Sequence, residues 1–163
     1  MDVWVSIILS VCAASTPLLL AATGELVVER SGVLNLGVEG MMIMGAVCAF
    51  AGAQLTGDPY LGALFGIAAG AVFSILFAFL TLVLVANQVA TGLALTILGL
   101  GLSGMIGEGF VGQPGIKMER IDIPFISDLP VVGQLVFGQD PIFYASIALV
   151  VGVVADEGET AAR

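Results

Sequence analysis

Residues 31–53 read SGVLNLGVEGMMIMGAVCAFAGA, a polar, glycine-rich first half followed by a smooth apolar second half. The second half has the composition of a membrane helix, but Asn35, Glu39 and three glycines interrupt the first half. Irregular backbone at membrane depth is tolerated only where it is buried in protein or lines a cavity. The pattern therefore predicts a discontinuous, partly re-entrant segment rather than a plain membrane span.

Four further apolar runs flank this segment. A bilayer core of about 30 Å is crossed by roughly 20 helical residues. The runs cover residues 3–23, 60–86, 89–106 and 142–154, and the last is too short to cross comfortably. We expect an all-α integral membrane protein, a polytopic helical bundle of about five apolar segments. Polar stretches follow at residues 24–30, 108–140 and 155–163.

Composition agrees with this class. Hydrophobic residues make up 59% of the 163-residue chain and charged residues 10%, whereas soluble domains are about a quarter charged. The net charge is −9, which we interpret as solvated loop charge. Binding to nucleic acid needs clustered Lys and Arg, so a nucleic-acid partner is excluded.

Small residues in the third run predict close helix packing. Gly62, Gly66 and Gly70 recur every four residues and so share one helix face. Asp58 and Pro59 precede the run and suit a helix cap and the first helical turn.

Catalytic and metal-binding patterns are missing from the sequence. It contains no histidine and no phosphate-binding GxxxxGK[ST] loop, and its two cysteines are isolated in apolar runs. We expect no catalytic residues, no metal site and no cofactor bound by this chain. Any nucleotide hydrolysis would belong to another subunit.

Two polar groups near membrane depth are candidate site residues, because polar groups there are expensive and often functional. Asn35 and Glu39 are four residues apart, which predicts one helical face. They line a polar path or hold a broken turn in shape; alternatively, Glu39 pairs with Arg30 or lies at the interface.

Asn87, Gln88 and Thr91 form the second group, at the start of the fourth run. Asn87 is a candidate helix cap, with Gln88 and Thr91 bonding to a neighbour. A helix N-terminus that faces a cavity is alternatively a place to hold a polar ligand.

Two stretches carry a family resemblance. Residues 29–42, ERSGVLNLGVEGMM, and residues 86–103, ANQVATGLALTILGLGLS, resemble ABC-importer permeases of the ribose and branched-chain amino acid permease superfamily. The likeness is to the nucleoside branch, which works with a basic-membrane-protein lipoprotein.

The resemblance implies a multi-pass permease in the cell (inner or plasma) membrane that transports nucleosides or related sugars. Its implied partners are a second permease subunit, an ABC ATP-binding subunit that holds ATP and Mg²⁺, and an extracytoplasmic substrate-binding lipoprotein. Residues 1–163 would form one permease domain, the N-terminal portion of a longer pattern.

The implied coupling loop after the fifth run places the tail inside and the 108–140 connection outside. The cations Lys117 and Arg120 alone favour the reverse orientation. Relatives continue through more spans after a basic stretch, whereas this chain ends in VADEGETAAR. The alternative is therefore a truncated or non-transporting membrane assembly or regulatory subunit.

Overall fold

A computed structural model describes residues 3–116 and 141–161 of the chain. Those residues form helices and their connections, with no strand in these two ranges. The helices are α1 (Val3–Arg30), α2 (Val38–Thr56), α3 (Pro59–Ala78), α4 (Gln88–Gly107) and α5 (Pro141–Ala161). A π-helical turn (Phe79–Val83) extends α3, and a 3₁₀ turn (Glu108–Phe110) extends α4.

Four helical segments are long and apolar enough to cross a membrane: Ile7–Arg30, Val38–Thr56, Pro59–Val83 and Gln88–Phe110. The apolar part of α5, Pro141–Asp156, is shorter. This arrangement confirms the predicted all-α polytopic membrane class. The polar first half of the second run is not part of α2, which begins at Val38 and is itself long enough to span; the partly re-entrant character of this segment stays a prediction.

The described helices belong to two compact units. One unit contains residues 28–116, with α2, α3 and α4; the other contains α5 and residues 3–27 of α1.

Two helices are longer than the sequence predicted. Residues 24–30 continue α1 instead of forming a connection, and the backbone of α5 is helical as far as Ala161. The apolar runs marked where the hydrocarbon-compatible sequence ends, not where the helix ends. Each extension contains two glutamates, which are good helix formers, and a single glycine, Gly24 or Gly158, which costs only about 1 kcal/mol.

The third run ends earlier than predicted. The α-helix stops at Ala78, the π-helical turn follows, and Val85 has φ +52°. A β-branched residue in the left-handed region is strained by about 1–3 kcal/mol, so this bend is imposed by its surroundings. The chain thereby turns sharply into α4.

α2 and α3 are antiparallel and packed through small residues. Asp58 Oδ1 accepts a hydrogen bond from Tyr60 N (2.8 Å), which confirms the predicted cap at the start of α3. A Cβ on Gly62 would lie 2.6 Å from Ala49 O, and one on Gly66 would lie 2.9 Å from Gly45 O.

Gly70 does not take part in this close approach, because a Cβ there would meet no described atom within 4 Å. The predicted close packing is therefore found at Gly62 and Gly66, and at Gly70 it is not found among the described residues. Toward the N-terminal end of α2, the residues that face α3 are no longer Gly45 and Ala49 but Met41 and Met44. Their side chains form a core with Phe73, Phe77 and Leu95.

The connection after α4 begins against the end of α2. Phe50 and Phe110 make an edge-to-face ring contact at 6.3 Å, and Gln54 Nε2 donates to Pro114 O at 2.6 Å. Residues 117–140, with Lys117 and Arg120, lie outside the described residues, as do residues 162–163 of the predicted tail.

α2 and α4 cross with their backbones in contact. A Cβ on Gly40 would lie 2.6 Å from Leu95 O, and one on Gly99 would lie 2.6 Å from Gly40 O. Both obstacles are backbone atoms, which cannot move aside like the end of a flexible side chain. The hydrophobic effect does not drive helices together in lipid, so close packing of this kind is what stabilises their association.

We expect the Gly99→Ala substitution to lower the free energy of unfolding by about 1–3 kcal/mol, because the added methyl forces α2 away from α4. The matched control is Gly101→Ala on the same helix, where a Cβ would meet nothing within 4 Å. Thermal unfolding of the detergent-solubilised chain, followed by circular dichroism, measures both. Equal midpoints for the two variants would contradict the backbone contact.

Candidate functional site

The non-helical segment 31–37 begins where α1 is closed by a glycine turn. Ser31 N donates to Val28 O (3.0 Å) and Gly32 N donates to Glu29 O (2.9 Å). Gly32 has φ +80°, a conformation that costs glycine little and other residues more. The chain therefore leaves the helix at a defined point.

Asn35 organises the middle of the segment. It is buried, its Oδ1 accepts from Gly37 N (3.0 Å), and its Nδ2 lies 3.6 Å from the Met41 sulfur. A short polar side chain that bonds the backbone two residues ahead replaces a bond that a helix would have made. This contact agrees with the interpretation that Asn35 holds a broken turn in shape.

Side chains from α4 bind the backbone of this segment. Leu34 N donates to Gln88 Oε1 (2.8 Å), and Thr96 Oγ1 donates to Leu36 O (3.1 Å). An unpaired backbone group is costly inside a membrane. α4 therefore supplies a donor and an acceptor that the interrupted helix lacks.

The segment also touches α4 through a glycine. A Cβ on Gly92 would lie 2.9 Å from both Gly37 N and Leu36 N. Only glycine permits this approach, which brings the segment within reach of Gln88 and Thr96. The two stretches that carry the family resemblance are thus one contact surface in the folded chain.

Glu39 does not share a face with Asn35. Glu39 is exposed in the first turn of α2, whereas Asn35 is buried before that helix begins. The prediction of one helical face is wrong because it assumed helical geometry across residues that are not helical. A carboxylate in a first helical turn is nevertheless stabilised by the helix dipole.

Asn87 caps α4, as predicted. Its Oδ1 accepts from Ala90 N (3.0 Å), and its backbone carbonyl accepts from Thr91 N (2.9 Å). Gln88 bonds to a neighbour, the Leu34 amide, also as predicted. The expected neighbour for the Thr91 hydroxyl is not found among the described residues.

A groove of about 410 Å³ lies beside the start of α4. Asn87 and Thr91 are its two polar lining residues, and the other seven are Ala or Leu from α3, its π-helical extension, the connection before α4 and α4 itself. The structure therefore brings Asn87 and Thr91 together. Asn35, Glu39 and Gln88 are not among the lining residues.

Thr96 and Gly92 were missed by sequence reasoning. A signal was present, since Gly92, Thr96, Gly99 and Ser103 recur at helical spacing and place small residues on one face. The neighbouring glycines at 101, 104 and 107 obscured this pattern.

Comparison with known proteins identifies the family. Residues 7–155 match the family model described as branched-chain amino acid transport system / permease component. The chain is 41% identical over 141 residues to a putative glucose ABC transporter permease of Haloferax volcanii, covering 84% of this chain and 43% of the relative.

Two bacterial relatives are also similar. The guanosine ABC transporter permease NupQ of Bacillus subtilis is 35% identical over 146 residues, covering 82% of this chain and 44% of the relative. The nucleoside ABC transporter permease NupC of Lactococcus lactis is 33% identical over 151 residues, covering 86% of this chain and 47% of the relative.

No solved structure matches the chain significantly. The chain spans less than half the length of each of these curated relatives. The family match covers most of the chain, and it includes both stretches that meet at the glycine contact. The chain thus belongs to the family of branched-chain amino acid transport system permease components.

Proposed function

We propose that this chain forms part of the translocation path of an ATP-driven importer for nucleosides or related sugars. The observation that carries the proposal is the non-helical segment 31–37 between two helices of membrane-spanning length. Its backbone is bound by Gln88 and Thr96 of α4, so the segment is held against that helix as a fixed polar surface. The family to which the chain belongs, and the guanosine, nucleoside and glucose permeases among its relatives, support the same class of function.

The path in this proposal runs past the segment 31–37 and the first turn of α2. Asn35 keeps the turn open, while Gln88 and Thr96 fix it to α4. Glu39 extends from the exposed side of α2, where a carboxylate near polar backbone is suited to a hydrated path rather than to lipid. Transport occurs by alternating access at the interface between this permease and a second one.

The energy source in this proposal belongs to partner subunits. An ABC ATP-binding subunit hydrolyses ATP with Mg²⁺, and an extracytoplasmic lipoprotein delivers the substrate. The sequence offers no phosphate-binding loop and no histidine base. The complex is expected in the inner or plasma membrane, where such a lipoprotein has access to it.

We expect Asn35→Ala to lower ATP-dependent nucleoside uptake about tenfold or more, because the Gly37 amide loses its acceptor at a buried position. Glu39→Gln should lower uptake at an unchanged membrane level, because it removes the charge beside the path. The measurement is uptake of labelled nucleosides and sugars by membrane vesicles that contain this chain and the subunits encoded beside it.

Glu108→Gln is the matched control for Glu39→Gln, since Glu108 is another exposed carboxylate in a helical turn. Asn35→Asp keeps an acceptor for Gly37 N and should retain more uptake than Asn35→Ala. Wild-type vesicles with well-inserted protein and no ATP-dependent uptake would overturn the proposal and favour a non-transporting membrane subunit. Uptake unaffected by either variant would remove Asn35 and Glu39 from the path.

A further inference from the structure

The hydroxyl of Thr91 differs from the other described threonine hydroxyls. Threonine in a helix usually donates to a carbonyl of the preceding turn. That bond is present for Thr16, Thr23, Thr56 and Thr81, and a similar one for Ser15, Ser103 and Ser146. Thr91 makes no side-chain hydrogen bond to any residue in the ranges 3–116 and 141–161.

The environment of Thr91 makes this unusual. The residue is only 8% exposed, and a buried hydroxyl without a partner is costly. No fully buried side-chain N or O atom among the described residues lacks a partner, so the Thr91 hydroxyl keeps some accessible surface. The open space that Thr91 lines is the groove beside the start of α4.

Asn87 adds a second unused group to the same groove. Its Oδ1 is occupied by the cap of α4, but its Nδ2 makes no hydrogen bond within the described part of the chain. The groove thus presents an amide donor and a hydroxyl one helical turn apart. The hydroxyl can both donate and accept.

The remaining surface of the groove restricts what can bind. Its other lining residues are Ala and Leu, none of the nine is charged, and it is an open groove of about 410 Å³ rather than an enclosed cavity. A free hexose carries hydroxyls around its whole ring, and two protein groups would leave several unpaired. A flat, uncharged heterocycle has apolar faces and a polar edge, which matches this lining.

We propose that this groove binds the uncharged heterocyclic ring of the transported molecule, with Thr91 Oγ1 and Asn87 Nδ2 bonding to the edge of the ring. The inference rests on the proposed function and narrows its substrate class to nucleosides over free sugars. A lipid acyl chain would fill the groove but leave both polar groups unpaired. The groove is therefore assigned to a substrate rather than to lipid.

Equilibrium binding of labelled guanosine and labelled glucose to vesicles that contain the assembled complex tests the inference. Thr91→Val is nearly isosteric and removes the hydroxyl, so guanosine affinity should fall about tenfold, while Thr91→Ser should keep most of it. Thr81→Val is the matched control: Thr81 is equally buried, but its hydroxyl already donates to Phe77 O (2.8 Å). Its guanosine affinity should equal that of the wild type.

Asn87→Asp separates the cap from the ligand contact. Aspartate caps a helix as well as asparagine does, but it replaces the Nδ2 donor with an acceptor. The variant should therefore keep the helical content of the wild type and bind guanosine more weakly.

Four results would overturn the inference: no saturable guanosine binding to the wild type, unchanged affinity in Thr91→Val, an equal loss in Thr81→Val, or an equal loss of glucose binding. ATP-dependent uptake is measured on the same vesicles. Absent uptake together with guanosine binding that depends on Thr91 would contradict the proposed function but leave the binding site intact. Normal uptake together with guanosine binding that does not depend on Thr91 would contradict the binding site but leave the proposed function intact.

Discussion

The non-helical connection 31–37, between two helices of membrane-spanning length, has backbone polar groups that are paired within the protein. Lipid offers no hydrogen bonds, and each unpaired amide or carbonyl in the hydrocarbon costs several kcal/mol. Residues 31–37 meet this demand locally through Asn35, and at a distance through Gln88 and Thr96. The rest of the described unit, residues 28–116, is arranged so that α4 can supply those two partners.

This pairing requires glycines where α4 meets the segment 31–37 and α2. The side chains of Gln88 and Thr96 bond to the segment where α4 lies against it, and Gly92 permits that contact. Gly40 and Gly99 extend the same close approach along α2. Once these backbones touch, the bend at Val85 and the cap at Asn87 fix where α4 begins, and the groove opens beside that point.

Local rules predicted the local features. The change in composition between residues 31–37 and the apolar sequence after them located the break, and cap chemistry identified Asp58 and Asn87 from their positions alone. The predicted ends of α1 and α5 were too early. An apolar run shows which residues can lie in the hydrocarbon core, whereas helix propensity determines where the helix ends.

Features that depend on two distant segments were not predictable from patterns. Residues 34 and 88 are separated by 54 positions, and no periodicity links a backbone amide to a glutamine so far along the chain. Gly70 has the same spacing as Gly62 and Gly66, but its environment depends on which side chains the facing helix presents. The common face assigned to Asn35 and Glu39 failed because spacing implies a face only within a continuous helix.

The central claim is that α4 supplies the bonding partners of the interrupted segment, and amide hydrogen exchange at Leu34 tests it most directly. In the wild-type chain the Leu34 amide should be protected by Gln88 Oε1. In Gln88→Leu it should exchange roughly 3–10 times faster, as expected for the loss of one hydrogen bond, while Gln113→Leu should leave it unchanged. Protection of Leu34 that survives in Gln88→Leu would mean that residues 31–37 pair their amides within a continuous helix, which would contradict this account.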